Sequence, residues 1–357
     1  MKAILLAPLP PPSGGIASWA KRMQTAELKN EWGVVIVDEK VIGGRDIFGA
    51  NMRKNIPTEV KRCLKIWRDL WKTLHDHEVK VVHSNIPAGF PGMIREIFCA
   101  LISKLRGRKF IIHYRCTIPN MVKDKKSKVV FKILTDLSDA SIVLNTASEK
   151  FVQTYSKTPA YLIPNFVSLG EMNRILSDAK GSNSKIKAVY VGGVIEEKGC
   201  LEIIEAAKKL NQIEFRLVGS AAPVISEAEI PENVTLCGEM DQQGVQKELA
   251  QADLFLFMSK YYGEGFSNAL AEAMVAGLPC IVSDWAANAD MIENSGGFVV
   301  PVNDINGLCN AIQALAESEE LRHQMGSWNR EKVTKYYLQE RVTSMYVDLY
   351  EEVVNSR

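Results

Sequence analysis

The sequence predicts an α/β chain made of two doubly wound domains, each with a parallel sheet. Short apolar runs typical of buried strands alternate with helical patterns, which favours parallel sheets covered by helices. The length of 357 residues suggests two domains, at about 150 residues per domain. A hydrophobic fraction of 46% and a charged fraction of 24% are ordinary for a globular chain, so collagen-like, coiled-coil and disordered classes are excluded.

The predicted strands fall into two series separated by a polar stretch. The first series covers 3–7, 34–37, 79–83, 110–113, 141–144 and 160–163. The second series covers 188–191, 214–218, 234–237, 254–258, 279–282 and 297–300. Residues 168–185 between them are rich in Gly and Ser, as expected of a linker. Two such domains in tandem would form a cleft, because ligands of these sheets bind outside the carboxyl ends of the strands.

The start of the chain and the cysteines indicate the compartment. Residues 1–12 contain one Lys and a five-residue apolar run, whereas a secretory signal needs about 7–15 apolar residues. This segment predicts a first buried strand, and no run approaches the roughly 20 apolar residues of a membrane span. The seven cysteines are scattered without a C-x-x-C pair, which favours a reducing cytoplasm over a disulfide scaffold or a zinc cluster.

The net charge of +1 hides an uneven distribution. Residues 1–165 contain 27 Lys and Arg against 14 Asp and Glu, whereas residues 166–357 contain 16 against 28. A basic half joined to an acidic half indicates two domains with different partners. The alternative is a pair of solvated faces that attract each other, and the sequence leaves both interpretations open.

Two helical stretches of the basic half combine apolar and basic side chains. In 60–74 an apolar face predicts a core contact, and its members are Val60, Leu64, Trp67, Leu70, Trp71 and Leu74. The opposite stripe of this stretch is basic: Lys61, Lys65, Arg68 and Lys72. In 92–105 the apolar residues Met93, Ile94, Ile97, Phe98, Leu101 and Leu105 are accompanied by Lys104, Arg106, Arg108 and Lys109. Two interpretations remain: core-facing helices with solvated basic faces, or a face attracted to anionic lipid head groups.

The segment 259–279 carries the most informative chemistry. A Gly-rich turn that includes Gly265 leads into a helix whose predicted N-cap is Ser267. Free backbone N–H groups and the positive end of the helix dipole make such a helix start a seat for phosphate. Glu264 lies in the turn and Glu272 lies eight positions later in the helix, and carboxylates accept hydrogen bonds from sugar and ribose hydroxyls.

The pattern Glu264-x7-Glu272, within E-G-F-S-N-A-L-A-E-A-M-V-A-G-L-P, resembles the signature of family 4 of the retaining glycosyltransferases. Members of that family have the GT-B fold, in which two Rossmann-like domains face a cleft. The resemblance implies an N-terminal acceptor-binding domain over 1–165 and a C-terminal nucleotide-sugar donor-binding domain over 166–335. It also implies a closing helix over 336–357 that packs back on the N-terminal domain. Asn165 matches the family's boundary between the domains.

Residues 191–199 (V-G-G-V-I-E-E-K-G) resemble the first strand, loop and helix of the family's donor domain. There a Lys before Gly binds the donor diphosphate, and Lys198 fits that position. The family usually has an Arg after the first Gly, but this chain has Gly193. The missing cation could be replaced by Lys260 or Arg115, or Lys198 and the helix start could suffice.

Several positions of the N-terminal half also match the family. Gly14 and Gly15 resemble a Gly-Gly loop whose backbone approaches the donor phosphates and the acceptor, since no Cβ intervenes. His113 ends a strand where the family commonly has a His that touches the donor sugar. His83 also ends a strand, and for it a structural role or an acceptor contact is favoured over catalysis. Two further histidines look like surface residues at a helix end: His75 and His77.

The implied reaction transfers a sugar from a nucleoside diphosphate sugar to an acceptor hydroxyl with retention of the anomeric configuration, and the departing phosphate acts as the base. Closure of the domains would align the groups. The predicted catalytic residues are Glu264, His113 and Lys198. The predicted donor-binding residues are Gly14, Gly15, Gly193, Lys198, Gly265, Phe266, Ser267, Asn268, Leu270 and Glu272. Lys198 and the helix start would balance the diphosphate charge, and no Asp-x-Asp motif is present, so neither a metal nor a cofactor is expected.

The expected partners are a nucleoside diphosphate sugar and a glycan or lipid-linked acceptor, in the assembly of a bacterial polysaccharide such as O-antigen or capsule. The expected location is the cytoplasm, with peripheral attachment to an anionic membrane surface through the basic N-terminal domain. No nucleic-acid partner is expected, because the basic half lacks a module with interleaved aromatics.

Two other functions remain open. One is a GT-B sugar-nucleotide epimerase, and the other is a non-catalytic nucleotide-sugar-binding protein that regulates a partner, which the departure at Gly193 keeps open. A NAD-dependent enzyme is disfavoured because no G-x-G-x-x-G follows a strand, and no P-loop is present.

Overall fold

The computed structural model describes residues 1–10, 14–40, 56–169, 185–226 and 229–356. Contacts divide the chain into two compact units: Met1–Phe166 with Gln339–Arg357, and Val167–Leu338. Each unit is built around one six-stranded sheet. The chain therefore leaves the first unit once and returns to it for its last helix.

The first unit contains strands β1 (Lys2–Ala7), β2 (Gly33–Asp38), β3 (Val79–Ile86), β4 (Lys109–Tyr114), β5 (Ala140–Val143) and β6 (Ala160–Leu162). The strand order is β2-β1-β3-β4-β5-β6, and all neighbours are parallel. The helices between the strands are α1 (Gly15–Thr25), α2 (Ile56–Thr73), α3 (Phe90–Leu105), α4 (Ile118–Met121), α5 (Lys125–Leu137) and α6 (Thr146–Tyr155). A 3₁₀ turn at Lys29–Glu31 precedes β2.

The second unit contains strands β7 (Lys187–Val191), β8 (Glu214–Val218), β9 (Val234–Gly238), β10 (Leu254–Phe257), β11 (Cys280–Ser283) and β12 (Gly297–Val300). The strand order is β12-β11-β10-β7-β8-β9, again with all neighbours parallel. Its helices are α7 (Cys200–Lys209), α8 (Pro223–Ser226), α9 (Gln242–Ala250), α10 (Asn268–Val275), α11 (Asn288–Ile292), α12 (Ile305–Glu317) and α13 (Glu319–Tyr336). A 3₁₀ turn at Glu196–Lys198 follows β7, and helix α14 (Gln339–Asn355) belongs to the first unit.

The predicted architecture of two doubly wound parallel sheets is confirmed. Each of the twelve predicted strands overlaps a strand of the structure. The apolar run at the start of the chain forms β1, which lies between β2 and β3 and is fully buried from Ala3 to Ala7. Central strands of parallel sheets are covered on both faces, which explains an unbroken apolar run. The expected linker over 168–185 falls outside the described residues except at its ends.

Helices cover both faces of the first sheet. On one face, α2, α3 and α5 contribute buried side chains such as Leu70, Cys99 and Phe131. On the other face, α1 and α14 contribute side chains that include Trp19 and Tyr346. The buried positions of α14 recur at helical spacing, so this helix completes the second core layer of the first unit.

The prediction that the apolar residues of 60–74 all face the core is partly wrong. Leu70 and Leu74 are buried, but Val60, Leu64 and Trp71 are 52%, 56% and 42% exposed. The apolar sector of α2 spans nearly half of the helix circumference at 100° per residue. The sheet covers only the side of that sector that contains Ile66 and Leu70, so the remaining apolar side chains face outward.

The prediction that the apolar residues of 92–105 face the core is also partly wrong. Met93 is fully buried, but Ile94, Phe98, Leu101 and Leu105 are 38%, 45%, 40% and 78% exposed. The buried side of α3 is instead formed by smaller and charged residues: Arg95, Glu96, Cys99, Ala100 and Ser103. The helix thus turns its large apolar stripe away from the sheet.

Candidate functional site

The loops after β7 and β10 form the candidate site of the second unit. These strands are parallel neighbours, so their carboxyl ends lie at the same edge of the sheet. Lys198 ends the 3₁₀ turn after β7, and Glu264 lies in the turn after β10. The ammonium of Lys198 forms an ion pair with Oε2 of Glu264, and the two side chains are 19% and 10% exposed. Two residues predicted from separate motifs are therefore in direct contact.

Close backbone packing holds these two loops together. Gly199 has φ +76°, and a Cβ at this position would lie 2.2 Å from the carbonyl oxygen of Met258. Only glycine tolerates both that conformation and that approach. The backbone N–H of Lys260 also donates to the carbonyl oxygen of Glu197 at 2.8 Å. Gly199 therefore lets the turn that carries Lys198 reach the loop that carries Glu264.

Further contacts orient the ion pair. The Lys198 ammonium lies 5.0 Å from the ring centroid of Tyr261 and 5.5 Å from that of Phe257, within the range of cation–π attraction. The hydroxyl of Ser259 donates to Oε2 of Glu264 at 3.2 Å. The carboxylate is thus fixed by a cation and a hydroxyl, with its orientation set by side chains of the same loop.

Ser267 caps α10, as predicted. Its Oγ accepts a hydrogen bond from the backbone N–H of Leu270 at 3.2 Å. The side chain of Leu270 is fully buried and its backbone N–H is used by this cap, so the predicted contact of Leu270 with the donor has no support in its side chain. Phe266 is buried against the ring of Tyr337 at 5.2 Å. Glu272 is the fifth residue of α10 and is half-buried.

Gly193 lies beside open space. A Cβ at this position would meet no heavy atom within 4 Å, so a larger residue fits there. Lys260, one of the expected substitutes for the missing Arg, donates to Glu202 Oε1 at 2.6 Å and to Asn303 Oδ1 at 2.9 Å. The ammonium of Lys260 is therefore bound by Glu202 and Asn303.

In the first unit, Gly14 and Gly15 begin α1. Gly14 is the N-cap with an extended backbone, and no side chain caps this helix start. The backbone N–H of Ser18 donates to the carbonyl oxygen of Gly14 at 2.8 Å. Pro12 and Ser13, the preceding part of the predicted loop, lie outside the described residues.

His113 lies in a buried cluster near the carboxyl end of β4, where it contacts His83 of β3. The prediction that His83 ends its strand is wrong, because β3 continues to Ile86. Nδ1 of His113 is 3.0 Å from Nε2 of His83, and its Nε2 is 3.1 Å from Nη1 of Arg115. Nδ1 of His83 is 2.7 Å from the hydroxyl of Tyr350 on α14. Both histidines are fully buried. His75 and His77, in contrast, are exposed as expected.

The hydrogen bonds of this cluster define where the protons sit. A guanidinium only donates, so Nε2 of His113 accepts from Arg115. The proton of His113 then lies on Nδ1 and is donated to His83, whose own proton on Nδ1 is donated to Tyr350. Burial lowers the pKa of His83 to about 3, and burial also moves the pKa of His113 well below its usual value. Both histidines are therefore neutral near pH 7.

Arg115 is a buried cation without a carboxylate partner within the described part of the chain. Its guanidinium carbon lies 4.6 Å above the ring of Trp19. Burial lowers the pKa of Arg115 to about 10, while the hydroxyl of Tyr346 opposes this shift. The aromatic face and the lone pair of His113 take the place of a counter-ion. The predicted site residues did not include this network beyond His113, because its members come from distant parts of the sequence.

A second buried charged cluster lies where β2 and β3 end. Arg95 donates to Glu39 Oε2 at 3.0 Å and to Glu96 Oε1 at 2.6 Å. The hydroxyl of Ser84 donates to Glu96 Oε2 at 2.7 Å. Burial raises the pKa of Glu39 to about 8, and Arg95 opposes that shift. None of these residues was predicted as a site residue.

Two kinds of feature are absent from the described residues. These residues contain no helix long and apolar enough to cross a membrane. They also contain no group of three or more His, Cys, Asp or Glu side chains placed to hold a metal ion.

Known proteins share sequence with this chain. Residues 174–332 match the family model described as "Glycosyl transferases group 1". Over 194 residues the chain is 26% identical to N-acetyl-alpha-D-glucosaminyl L-malate synthase of Bacillus anthracis, covering 52% of this chain and 50% of that protein. Over 178 residues it is 26% identical to UDP-Gal:alpha-D-GlcNAc-diphosphoundecaprenol alpha-1,3-galactosyltransferase of Escherichia coli, covering 46% and 45%. The chain thus spans about half the length of these curated relatives.

Solved structures share the fold. The structure of Alr3699/HepE from Anabaena in complex with UDP-glucose matches with a TM-score of 0.75 and 15% identity, over 99% of this chain and 100% of that one. The two parallel six-stranded sheets are those of the GT-B glycosyltransferases. The match to the group 1 glycosyl transferase model lies almost wholly within the second unit, Val167–Leu338. The resemblance inferred from the sequence is therefore confirmed at the level of the group 1, GT-B type.

Proposed function

We propose that the protein is a glycosyltransferase of bacterial polysaccharide biosynthesis that moves a sugar from a nucleoside diphosphate sugar to an acceptor hydroxyl. The observation that carries this proposal is the contact between Lys198 and Glu264, close in the chain to the N-terminus of α10. A cation and helix N–H groups suit a diphosphate, and a carboxylate suits sugar hydroxyls. The family match over 174–332 supports the proposal, as does the UDP-glucose bound to the Anabaena structure.

Each candidate site residue of the second unit has a proposed role in this reaction. Lys198 donates to the donor diphosphate and balances the charge that develops on it as the sugar leaves. The amides of Gly265 and Phe266, with the carboxylate of Glu264, hold the sugar hydroxyls. Glu272 accepts hydrogen bonds from the ribose. The roles of Gly14, Gly15 and His113 toward the donor stay predictions.

We infer a retaining reaction that needs no metal. The departing phosphate oxygen takes the proton of the acceptor hydroxyl on the face that the leaving group vacates. Support for the metal-free part comes from the sequence, which has no Asp-x-Asp motif. The positive charge that a metal would supply comes from Lys198 and from the start of α10.

The proposed acceptor is a lipid-linked glycan at the inner face of the cytoplasmic membrane. The relative from Escherichia coli is named for an acceptor on diphosphoundecaprenol, which supports this class. The excess of Lys and Arg in residues 1–165 suits a protein that works beside anionic lipid. The proposed location is therefore cytoplasmic and peripheral.

A donor screen followed by one substitution tests the proposal. Thermal shift over UDP-, GDP-, ADP- and TDP-sugars identifies the donor, and calorimetry then compares wild type with Glu272→Ala. A charged hydrogen bond contributes about 1.5–3 kcal/mol, so the dissociation constant should rise about 10- to 150-fold. Glu317→Ala, at an exposed position of α12, is the matched control and should leave affinity unchanged. Equal affinity of wild type and Glu272→Ala would contradict the assignment.

Product analysis separates transfer from the other two functions. A transferase incubated with donor alone hydrolyses it slowly, and donor consumption rises when a membrane extract supplies acceptor. An epimerase converts the donor sugar without acceptor. A binding protein consumes no donor under either condition, and this result would overturn the proposed reaction.

A further inference from the structure

The outward side of α2 and α3 exposes large apolar side chains. On α2 these are Ile56, Val60, Leu64 and Trp71, and on α3 they are Phe90, Ile94, Phe98, Leu101 and Leu105. Each is at least 38% exposed. Single exposed apolar side chains are common, but a stripe along each of two packed helices marks a surface that something covers. We call these residues the α2–α3 apolar face.

The two stripes belong to one surface. The rings of Trp67 on α2 and Phe98 on α3 are 4.7 Å apart, and the indole N–H of Trp67 donates to the carbonyl oxygen of Arg95 at 3.3 Å. Beyond the end of α3, the guanidinium of Arg106 lies 4.8 Å above the ring of Trp71. α3 packs on its other side against α5, which exposes Val129 and Ile133.

Basic side chains accompany the apolar face. Helices α2, α3 and α5 together contain eleven Lys and Arg and four Asp and Glu. The exposed basic residues of these helices are Lys61, Lys65, Arg68, Lys72, Lys104, Lys125, Lys126 and Lys132. Some are paired locally, since Arg68 contacts Asp69 at 2.9 Å and Lys132 contacts Asp136 at 2.6 Å. The excess of positive charge remains after those pairs are counted.

We propose that the α2–α3 apolar face docks on an anionic lipid bilayer, with its apolar side chains in the interface and its lysines at the head groups. This combination of an apolar stripe with flanking Lys and Arg is what an interfacial helix needs. A second copy of the chain suits the face poorly, because pairing two such faces would bring like charges together. A neutral partner would leave the lysines without complementary charge.

A solvated basic face and a face docked on lipid differ in how their binding to vesicles depends on salt. A basic stripe alone gives weak, salt-sensitive binding. Its electrostatic attraction to the head groups is screened over about 10 Å at 0.1 M salt. Exposed apolar side chains add a contribution that salt does not screen, so binding should persist in part at high salt. The docking surface lies wholly in the first unit, so it does not depend on the donor chemistry proposed for the second.

Vesicle flotation tests the proposal on the full chain. The wild type should float with phosphatidylglycerol/phosphatidylethanolamine vesicles and not with phosphatidylcholine vesicles. The triple variant Leu64→Gln, Leu101→Gln, Leu105→Gln should lose at least tenfold in partition at both low and high salt. Val224→Gln, at a site 49% exposed in the second unit, is the apolar control and should bind like wild type.

Charge variants and fluorescence complete the test. Lys61→Gln, Lys65→Gln, Lys72→Gln should lose binding mainly at low salt, whereas Lys208→Gln, Lys247→Gln, Lys335→Gln in the second unit should not. Emission should shift to the blue on vesicle binding, and Trp71→Phe should reduce that shift. Calorimetry with the donor checks that each variant keeps the second unit intact, so a failed donor site is distinguished from a failed docking surface.

Three results would overturn the inference. The first is a wild type that does not float, or that floats equally with phosphatidylcholine. The second is full flotation of the triple leucine variant. The third is a wild type that forms dimers in solution which the leucine substitutions dissociate without any change in flotation.

Discussion

Replacing Lys198 with methionine should weaken donor binding and should also leave Glu264 as a part-buried carboxylate without its cation. Loss of a charged hydrogen bond to the diphosphate costs about 1.5–3 kcal/mol, or about 10- to 150-fold in the dissociation constant. Breaking a fully buried ion pair costs about 3–5 kcal/mol. The two side chains here are 19% and 10% exposed, so we expect a smaller loss of stability, about 2 kcal/mol.

A double variant separates the two effects. Lys198→Met with Glu264→Gln removes both charges, so the free energy of unfolding should recover by about 1–2 kcal/mol relative to Lys198→Met alone. Donor affinity should not recover, because the diphosphate still lacks its cation. Urea unfolding gives the stability, and calorimetry with the donor gives the affinity.

The pair Lys260–Glu202 is the matched control. It lies in the same unit with an N–O distance of 2.6 Å and side chains 26% and 11% exposed. Lys260→Met should therefore lose comparable stability but keep donor affinity. If the Lys198/Glu264 double variant regains donor affinity together with stability, Lys198 acts only through the fold. The proposed contact between Lys198 and the diphosphate would then be refuted.

Three further predictions concern other parts of the chain. Between pH 6.5 and 5 the protein should lose stability, because the lowered pKa of His83 and of His113 keeps both neutral when the unfolded chain takes up protons, at about 1.4 kcal/mol per pH unit for each. Glu39, whose pKa is raised to about 8, opposes this loss with about the same slope, so the net loss is about 1.4 kcal/mol per pH unit. Urea unfolding checks this, and His83→Phe should show a shallower slope. Gly193→Arg should keep the fold, since a Cβ at this position meets no heavy atom within 4 Å. The added guanidinium should tighten UDP binding about tenfold through one charge-assisted contact. Unchanged affinity would show that no phosphate comes near this position. Ser267→Ala should lower the free energy of unfolding by about 1 kcal/mol through loss of the α10 cap, measured in urea against Ser318→Ala, which removes the cap of α13.

The strands and helix caps could be predicted because their causes are local. Ala3–Ala7 is an unbroken apolar run because a central parallel strand is covered on both faces. Ser267 is a cap because its short polar side chain reaches the backbone N–H of Leu270. The residues that form such a strand or cap lie within a few positions of one another, so the pattern is visible in a single sequence.

The outward stripes of α2 and α3 could not be predicted, because burial depends on which neighbours arrive. Leu64 and Leu70 look alike in the sequence, yet one is 56% exposed and the other is fully buried. The His83–Arg115 cluster escaped prediction for a related reason. Its members His83, His113 and Tyr350 come from three distant segments. The pairing of β3 with β4 brings the two histidines together, and the packing of α14 on the sheet adds Tyr350.

The position of α14 has a consequence for how the protein is made. Tyr346 and Tyr350 fill the core beside Trp19, and Tyr350 bonds to His83, although some 270 residues of chain separate them. During synthesis the whole second unit leaves the ribosome before this helix does. Domains of nascent chains generally fold in order from the N-terminus, but here the first unit to be translated is the last to be completed. Until α14 arrives, α1 covers only part of one face of the sheet, and the rest of that face stays exposed. An exposed apolar surface of this kind makes a nascent chain prone to aggregation, which chaperones prevent.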